Sequence, residues 1–221
     1  MNRSLLESTD NTRPVGRCQA VWRSDAPHSP TKEDIRILRE KQITTLLDLR
    51  EDASVRKHPC TLAGMAEFRY LRCPITEGSG LPASPELVPV SYLEIAESPG
   101  TLQALREIAD APAGVCFFCT AGKDRTGVLS ALLLLLAGAE DGEIVSDYLR
   151  TKEFAAGRLA AVRELFPEAD SKIYTPCTAH METFLRLLRK KYGSAERFFA
   201  LRGLTPAKQS AIRRKMREYT G

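Results

Sequence analysis

Between Gly114 and Ala139 the chain compresses three kinds of sequence into one short stretch. Gly114-Val115-Cys116-Phe117-Phe118 is an apolar run rich in β-branched and aromatic residues. Cys119-Thr-Ala-Gly-Lys-Asp-Arg-Thr-Gly127 is polar and carries glycine. Val128 to Ala139 is apolar except for Ser130. That succession reads as strand, loop and buried helix. A loop so placed aims its backbone N–H groups, and the positive end of the helix dipole, at one point in space, which suits an anion. The apolar stretch is about a dozen residues, short of the roughly 20 that a membrane span needs.

The remainder reads as a single domain, residues 1–221, of α/β class in its first two-thirds and helical over 139–221. Residues 1–13 are polar and expected to be loosely held. Strands are expected at Cys18–Trp22, Ile43–Leu47 and Phe68–Cys73, the second a near-continuous apolar run of the kind a sheet covered on both faces requires. Thr31 with Asp34 forms a capping box for a helix to about Lys41. Pro85 opens a helix to about Glu97, and Thr101–Ala111 continues as another. Beyond Ala139, helices are expected at 141–154, 155–166, 178–192, 194–202 and 206–218, with Gly193 and Gly203 as stops. Residues 51–66 stay ambiguous, and 74–85 is a loop rich in Gly, Ser and Pro.

Cys119 and Arg125 define the chemistry. A thiol in the field of a helix N-terminus and an arginine titrates lower than usual, and the thiolate is the nucleophile. A guanidinium forks onto two phosphate oxygens in a way lysine does not reproduce. The amides of Thr120, Ala121, Gly122, Lys123, Asp124 and Arg125 complete the cradle, Gly122 lets the backbone curl, and the Thr126 hydroxyl can donate to the sulfur. Such a group attacks phosphorus in line, forms a phosphocysteine and yields it to water.

Cys119 to Thr126 resembles the Cys-x5-Arg-Ser/Thr signature of cysteine-dependent phosphatases. The fuller Ala121-Gly122-Lys123-Asp124-Arg125-Thr126-Gly127 resembles the bacterial and fungal atypical tyrosine-protein and phosphoinositide phosphatases. An Arg23-Ser24-x-x-Pro27 segment, a helix and Asp48-Leu49-Arg50 at a strand end extend the likeness over most of residues 20–150. The resemblance implies a central, mostly parallel sheet flanked by helices, a phosphorylated protein (phosphotyrosine foremost), phosphoinositide or small phosphorylated metabolite as substrate, and neither cofactor nor metal. It also places His before the nucleophile, where this chain has Phe118, a departure that leaves room for a weakly active, phosphate-binding pseudophosphatase. Sulfur transfer of the rhodanese kind fits the loop less closely.

Three carboxylates compete for the role of general acid. Asp124 lies inside the loop, Asp48 ends a neighbouring strand and could instead orient Arg125, and Glu77 sits in the loop before the catalytic strand. Lys123 either recognises a second phosphate or offsets Asp124. Cys116 and Cys119 spell C-x-x-C, but inside a strand rather than at a helix start, and they alternate in facing. Six cysteines without scaffold spacing, a reactive thiol and no secretory signature point to the cytoplasm. The net charge of +4 conceals eleven Lys and Arg against one Glu in residues 186–217. That stretch either forms a solvated helical face or touches an anionic membrane surface; no nucleic-acid partner is expected.

Overall fold

The computed structural model describes residues 4–154, 156–157, 160, 164 and 167–217. Most of the helix expected over 155–166, and the end of the last helix at 218, fall outside these residues. Five strands form one sheet in the order β1-β2-β5-β3-β4: β1 Arg13–Val15, β2 Cys18–Asp25, β3 Ile43–Asp48, β4 Arg69–Arg72 and β5 Gly114–Cys119. Every pairing is parallel except that of the edge strand β1 with β2. The helices are α1 Lys32–Glu40, α2 Asp52–Lys57, α3 Val88–Glu97, α4 Pro99–Asp110, α5 Asp124–Ala137, α6 Asp141–Leu149, α7 Thr151–Phe154, α8 Ser171–Tyr174, α9 Thr178–Tyr192, α10 Ala195–Leu201 and α11 Pro206–Arg217. The region left ambiguous at 51–66 holds α2 and a 3-10 turn at Thr61–Gly64.

β5 is central, and all six of its residues are buried. Its alternation divides the core. Val115, Phe117 and Cys119 face the larger cluster, made with α3–α6 and α9–α11, whereas Cys116 and Phe118 face a smaller one with Trp22, Leu38 and Leu46. The C-x-x-C cysteines therefore serve opposite sides of the sheet, and Cys116 is a packing residue whose thiol burial pushes up. α5 is buried along almost its whole length and packs against α3, α4, α6, α10 and α11, so it needs no polar face.

Two expectations are corrected. β2 runs on through Arg23, Ser24 and Asp25, three residues beyond the expected end at Trp22. Residues 4–13 are not loosely held: Leu6, Thr9, Asn11, Thr12 and Arg13 are buried. Polarity misleads here because these polar groups are paired inside the protein rather than solvated. The Asp25 carboxylate accepts from the N–H of Asp10 (3.1 Å) and Asn11 (2.8 Å). The Asp34 carboxylate, besides closing the α1 capping box, accepts from Glu7 N–H (2.6 Å) and Ser8 N–H (3.1 Å). Much of the basic C-terminal stretch is likewise spent internally. Arg189 pairs with Asp141, Lys191 with Glu97 and Lys208 with Asp110, while Lys215 donates to the carbonyls of Ala111 and Ala113.

The polar centre of the fold is a buried ion pair, Arg23 Nη1 to Asp147 Oδ2 at 2.7 Å. Arg13 adds a second guanidinium, donating to the Asp147 carbonyl (3.0 Å) and to Thr151 Oγ1 (3.1 Å). Burial alone would raise the Asp147 carboxyl, but Arg23 and Arg13 outweigh it and hold it below the ordinary carboxylate range. Removing this anion strands two buried cations. Asp147→Ala should lose roughly 3–5 kcal/mol of stability at neutral pH by urea denaturation. Because the folded-state value is depressed, the wild-type contribution is present above the ordinary aspartate range and is lost as pH falls through the folded value. The gap between wild type and variant should therefore close on acidification, and a gap independent of pH would contradict the assignment.

Candidate active site

Cys119 ends β5, where its Cα pairs in register with Asp25 of β2. The loop that follows turns directly into α5 at Asp124, so strand end and helix start bracket it. Among the described residues no group accepts from the backbone N–H of Ala121 to Arg125. The first amide of the helix with a partner is that of Gly127, which donates to Lys123 O at 2.7 Å. Helix geometry leaves such N–H groups unpaired, and here they belong to the loop that follows the sulfur. Thr126 Oγ1 lies 3.0 Å from Cys119 Sγ.

The loop is anchored from behind. Gly122 has φ +66°, and a Cβ there would lie 2.7 Å from Asn11 Nδ2 and 2.8 Å from the Asp25 nitrogen, so only glycine fits. Its carbonyl accepts from Asn11 Nδ2 (2.9 Å) and Arg23 Nη2 (3.0 Å). Arg125 spans the mouth on long bonds, Nη1 to Leu49 O at 3.4 Å and Nη2 to Thr120 Oγ1 at 3.3 Å. A guanidinium held so lightly can turn onto an arriving anion without breaking a strong bond.

The loop floors a cavity of about 330 Å³. Leu81 and Pro82 from the Gly-Ser-Pro loop, Val88 of α3, and Ile173 and Tyr174 of α8 wall it with apolar surface. A larger cavity of about 520 Å³ lies at the far end of α5, against the turn between β1 and β2, and shares no residue with the Cys119 loop.

The three candidate acids occupy different settings. Asp124 lines the cavity with its side chain 40% exposed. Its Oδ1 accepts from Tyr92 Oη at 2.7 Å and pairs with Lys123 Nζ at 2.8 Å. Burial favours its neutral form, but Lys123, Tyr92 and Arg125 together hold it below the ordinary carboxylate range. Asp48 is fully buried behind the loop. Arg50 Nη2 (2.6 Å) and Tyr70 Oη (2.6 Å) take its Oδ2, and Arg50 N–H (2.9 Å) takes its Oδ1. Its ion pair is thus with Arg50 rather than Arg125, because the backbone turn after β3 folds the nearer guanidinium back onto it. Glu77 is exposed, accepts from Ser98 Oγ at 2.6 Å and is held low chiefly by that bond; it does not line the cavity, although Gly78 to Pro82 do.

Lys123 is buried, and besides Asp124 its Nζ donates to Ile173 O at 3.2 Å. It braces α8 against the loop rather than standing free at the mouth. Phe118 points into the smaller core, with the Arg50 guanidinium 5.6 Å from its ring centre. Sequence reasoning missed Asn11, Arg13 and Asp147 behind the loop, Tyr92 and Tyr148 beside Asp124, and the α8 wall. None carries a local motif, and each arrives from a distant segment.

A family model described as "Tyrosine phosphatase family" matches residues 6–218. A tyrosine-protein phosphatase of Nostoc commune is 34% identical over 121 residues, which span 51% of this chain and 41% of that protein. The putative tyrosine-protein phosphatase H16_A0669 of Cupriavidus necator is 24% identical over 204 residues, 80% of this chain and 72% of that protein. Among solved structures, TpbA of P. aeruginosa aligns at a TM-score of 0.47 with 16% identity, over 82% of this chain and 94% of that one. With the match running from the buried N-terminal segment to the last helix, the chain belongs to the tyrosine phosphatase family.

Proposed function

We propose that the protein hydrolyses phosphotyrosine in protein substrates through a phosphocysteine intermediate. The observation that carries this reading is the convergence on one cavity of Cys119 Sγ, the uncommitted loop amides and the lightly held Arg125. The phosphoryl oxygens sit among the amides and the guanidinium, and the thiolate attacks phosphorus in line with the departing oxygen. Asp124 gives that oxygen its proton as the P–O bond breaks. The carboxylate so formed then takes a proton from the water that displaces Cys119, whose leaving sulfur Thr126 Oγ1 supports.

Of the three carboxylates, Asp124 is the one that lines the cavity, and it supports this role for that reason. Asp48 is better suited to fixing Arg50 and the turn at Leu49, whose carbonyl receives Arg125. The apolar walls suit an aromatic ring above the phosphate. Lys123, committed to Asp124 and Ile173, favours a single phosphate over a polyphosphorylated inositol head group. The relatives' names as tyrosine-protein phosphatases agree with that preference.

The purified protein should release phosphate from p-nitrophenyl phosphate in EDTA and be inhibited by vanadate. Cys119→Ser should lose turnover by at least about a thousandfold while still binding phosphotyrosine peptide. A serine variant at the wild-type rate would remove Cys119 as nucleophile. Asp124 must be protonated to act as acid, and its neighbours hold it low. kcat/KM should therefore fall across the acid-to-neutral range as pH rises, and Asp124→Asn should abolish that basic limb. Loss of the limb in Glu77→Gln instead would move the role to Glu77.

A further inference from the structure

Asp124 is held by a hydrogen-bonded chain that reaches well behind the cavity. Tyr92 Oη from α3 donates to Asp124 Oδ1 at 2.7 Å, and Tyr148 Oη from α6 lies 2.6 Å from Tyr92 Oη. A phenol has one proton to give. Since Tyr92 spends its proton on the carboxylate, Tyr148 must donate to Tyr92, so the chain has a fixed direction. Both rings are fully buried and meet edge to face, with Phe184 of α9 backing Tyr92 at 6.2 Å. Neither hydroxyl can turn to water. Lys123 Nζ lies 2.8 Å from the same Oδ1, and among the described residues no donor reaches Oδ2. The two oxygens of one carboxylate are thus made unequal.

We infer that Tyr92, oriented by Tyr148, is a positioning residue for proton delivery: with Lys123 it fills Oδ1 of Asp124 with donors, so that the transferable proton resides on Oδ2, the oxygen left for the cavity. This rests on Asp124 being the general acid. As the P–O bond breaks, its electron pair passes to the leaving oxygen, which takes the proton from Oδ2. The resulting carboxylate keeps both donors on Oδ1. In the second step Oδ2 recovers a proton from the attacking water, whose oxygen bonds to phosphorus as the S–P bond breaks and the electron pair returns to Cys119.

The charged and titratable groups facing Asp124 are Lys123 and Arg125 from its own loop, Tyr92 from α3, Tyr148 from α6 and His180 from α9. Burial, then Lys123, holds His180 down, so the imidazole adds little positive charge near neutrality. Tyr92 and Tyr148 are both raised well above the ordinary phenol by burial, which keeps them as donors throughout the working range. A donor on Oδ1 stabilises the ionised acid, and its removal has the opposite sign.

Tyr92→Phe keeps the ring and deletes the donor. The basic limb of its kcat/KM profile should move up by about one pH unit. Its rate on phenyl phosphate, whose leaving group needs the proton, should drop about tenfold, with a smaller loss on p-nitrophenyl phosphate, whose leaving group needs it less. Tyr148→Phe should shift the limb in the same direction by less. In an Asp124→Asn background, adding Tyr92→Phe should change neither ratio nor profile. A Tyr92→Phe profile superimposable on wild type, or an equal loss on both substrates that persists in the Asp124→Asn background, overturns the inference and leaves Asp124 as acid. If Asp124→Asn alone retains the basic limb and the leaving-group dependence, the reading of Asp124 itself falls and takes this one with it.

Discussion

The Gly122 carbonyl is the point on which the site depends. A phosphate cradle needs successive N–H groups turned to one centre, and a chain that turns its amides inward must turn a carbonyl outward, into the protein. That oxygen is buried and needs donors there. Asn11 and Arg23 supply them, and Arg23 can stand there because Asp147 balances its charge. An ion pair of this kind is weak evidence for net stability, since desolvation offsets much of the attraction. Its value here is geometric: it holds a guanidinium at one spot with Nη2 directed at the Gly122 carbonyl, 3.0 Å away.

The same economy appears on the other side of the loop. Lys123 and Asp124 look on paper like opposite charges that cancel. In place they do pair, at 2.8 Å, and each also makes a second contact, Lys123 tying the α8 wall to the loop while Asp124 accepts from Tyr92 beside the cavity. Asp48 and Arg50 form a second buried pair that fixes the turn receiving Arg125. Most of the buried polar groups around the site serve to hold its loop and cavity-lining side chains still.

What could be read from residues alone follows from distance along the chain. The strand Gly114–Cys119, the loop and helix Asp124–Ala137 announce themselves because β-branched run, glycine and apolar stretch are adjacent, and the Thr31–Asp34 capping box is a four-residue signal. Residues 4–13 read as loosely held because polarity reports solvent exposure only when the polar groups lack partners, and among the partners of Asn11 and Arg13 are Gly122 and Asp147, more than a hundred positions away. Tyr92 and Tyr148 read as ordinary core aromatics on two amphipathic helices; nothing nearby marks their hydroxyls as converging on Asp124. Asp48 was visible as a strand-end carboxylate, but its turning back onto Arg50, two residues on, is a matter of backbone geometry.

Those separations also bear on when the protein acquires its chemistry. Asn11 meets Gly122 across 111 residues, Arg13 meets Asp147 and Thr151 across 134 and 138, and the Cys18 thiol meets the Lys215 carbonyl across 197. Contacts of such span close late, since chain entropy must be lost before they repay it. A ribosome-bound chain that has exposed Cys119 but not α6 lacks the counter-ion for Arg23, and with it the second anchor of the loop. The Cys119 thiol and its loop therefore emerge before the residue that balances the loop's buried anchor, and a half-made copy carries that thiol without the frame that holds it.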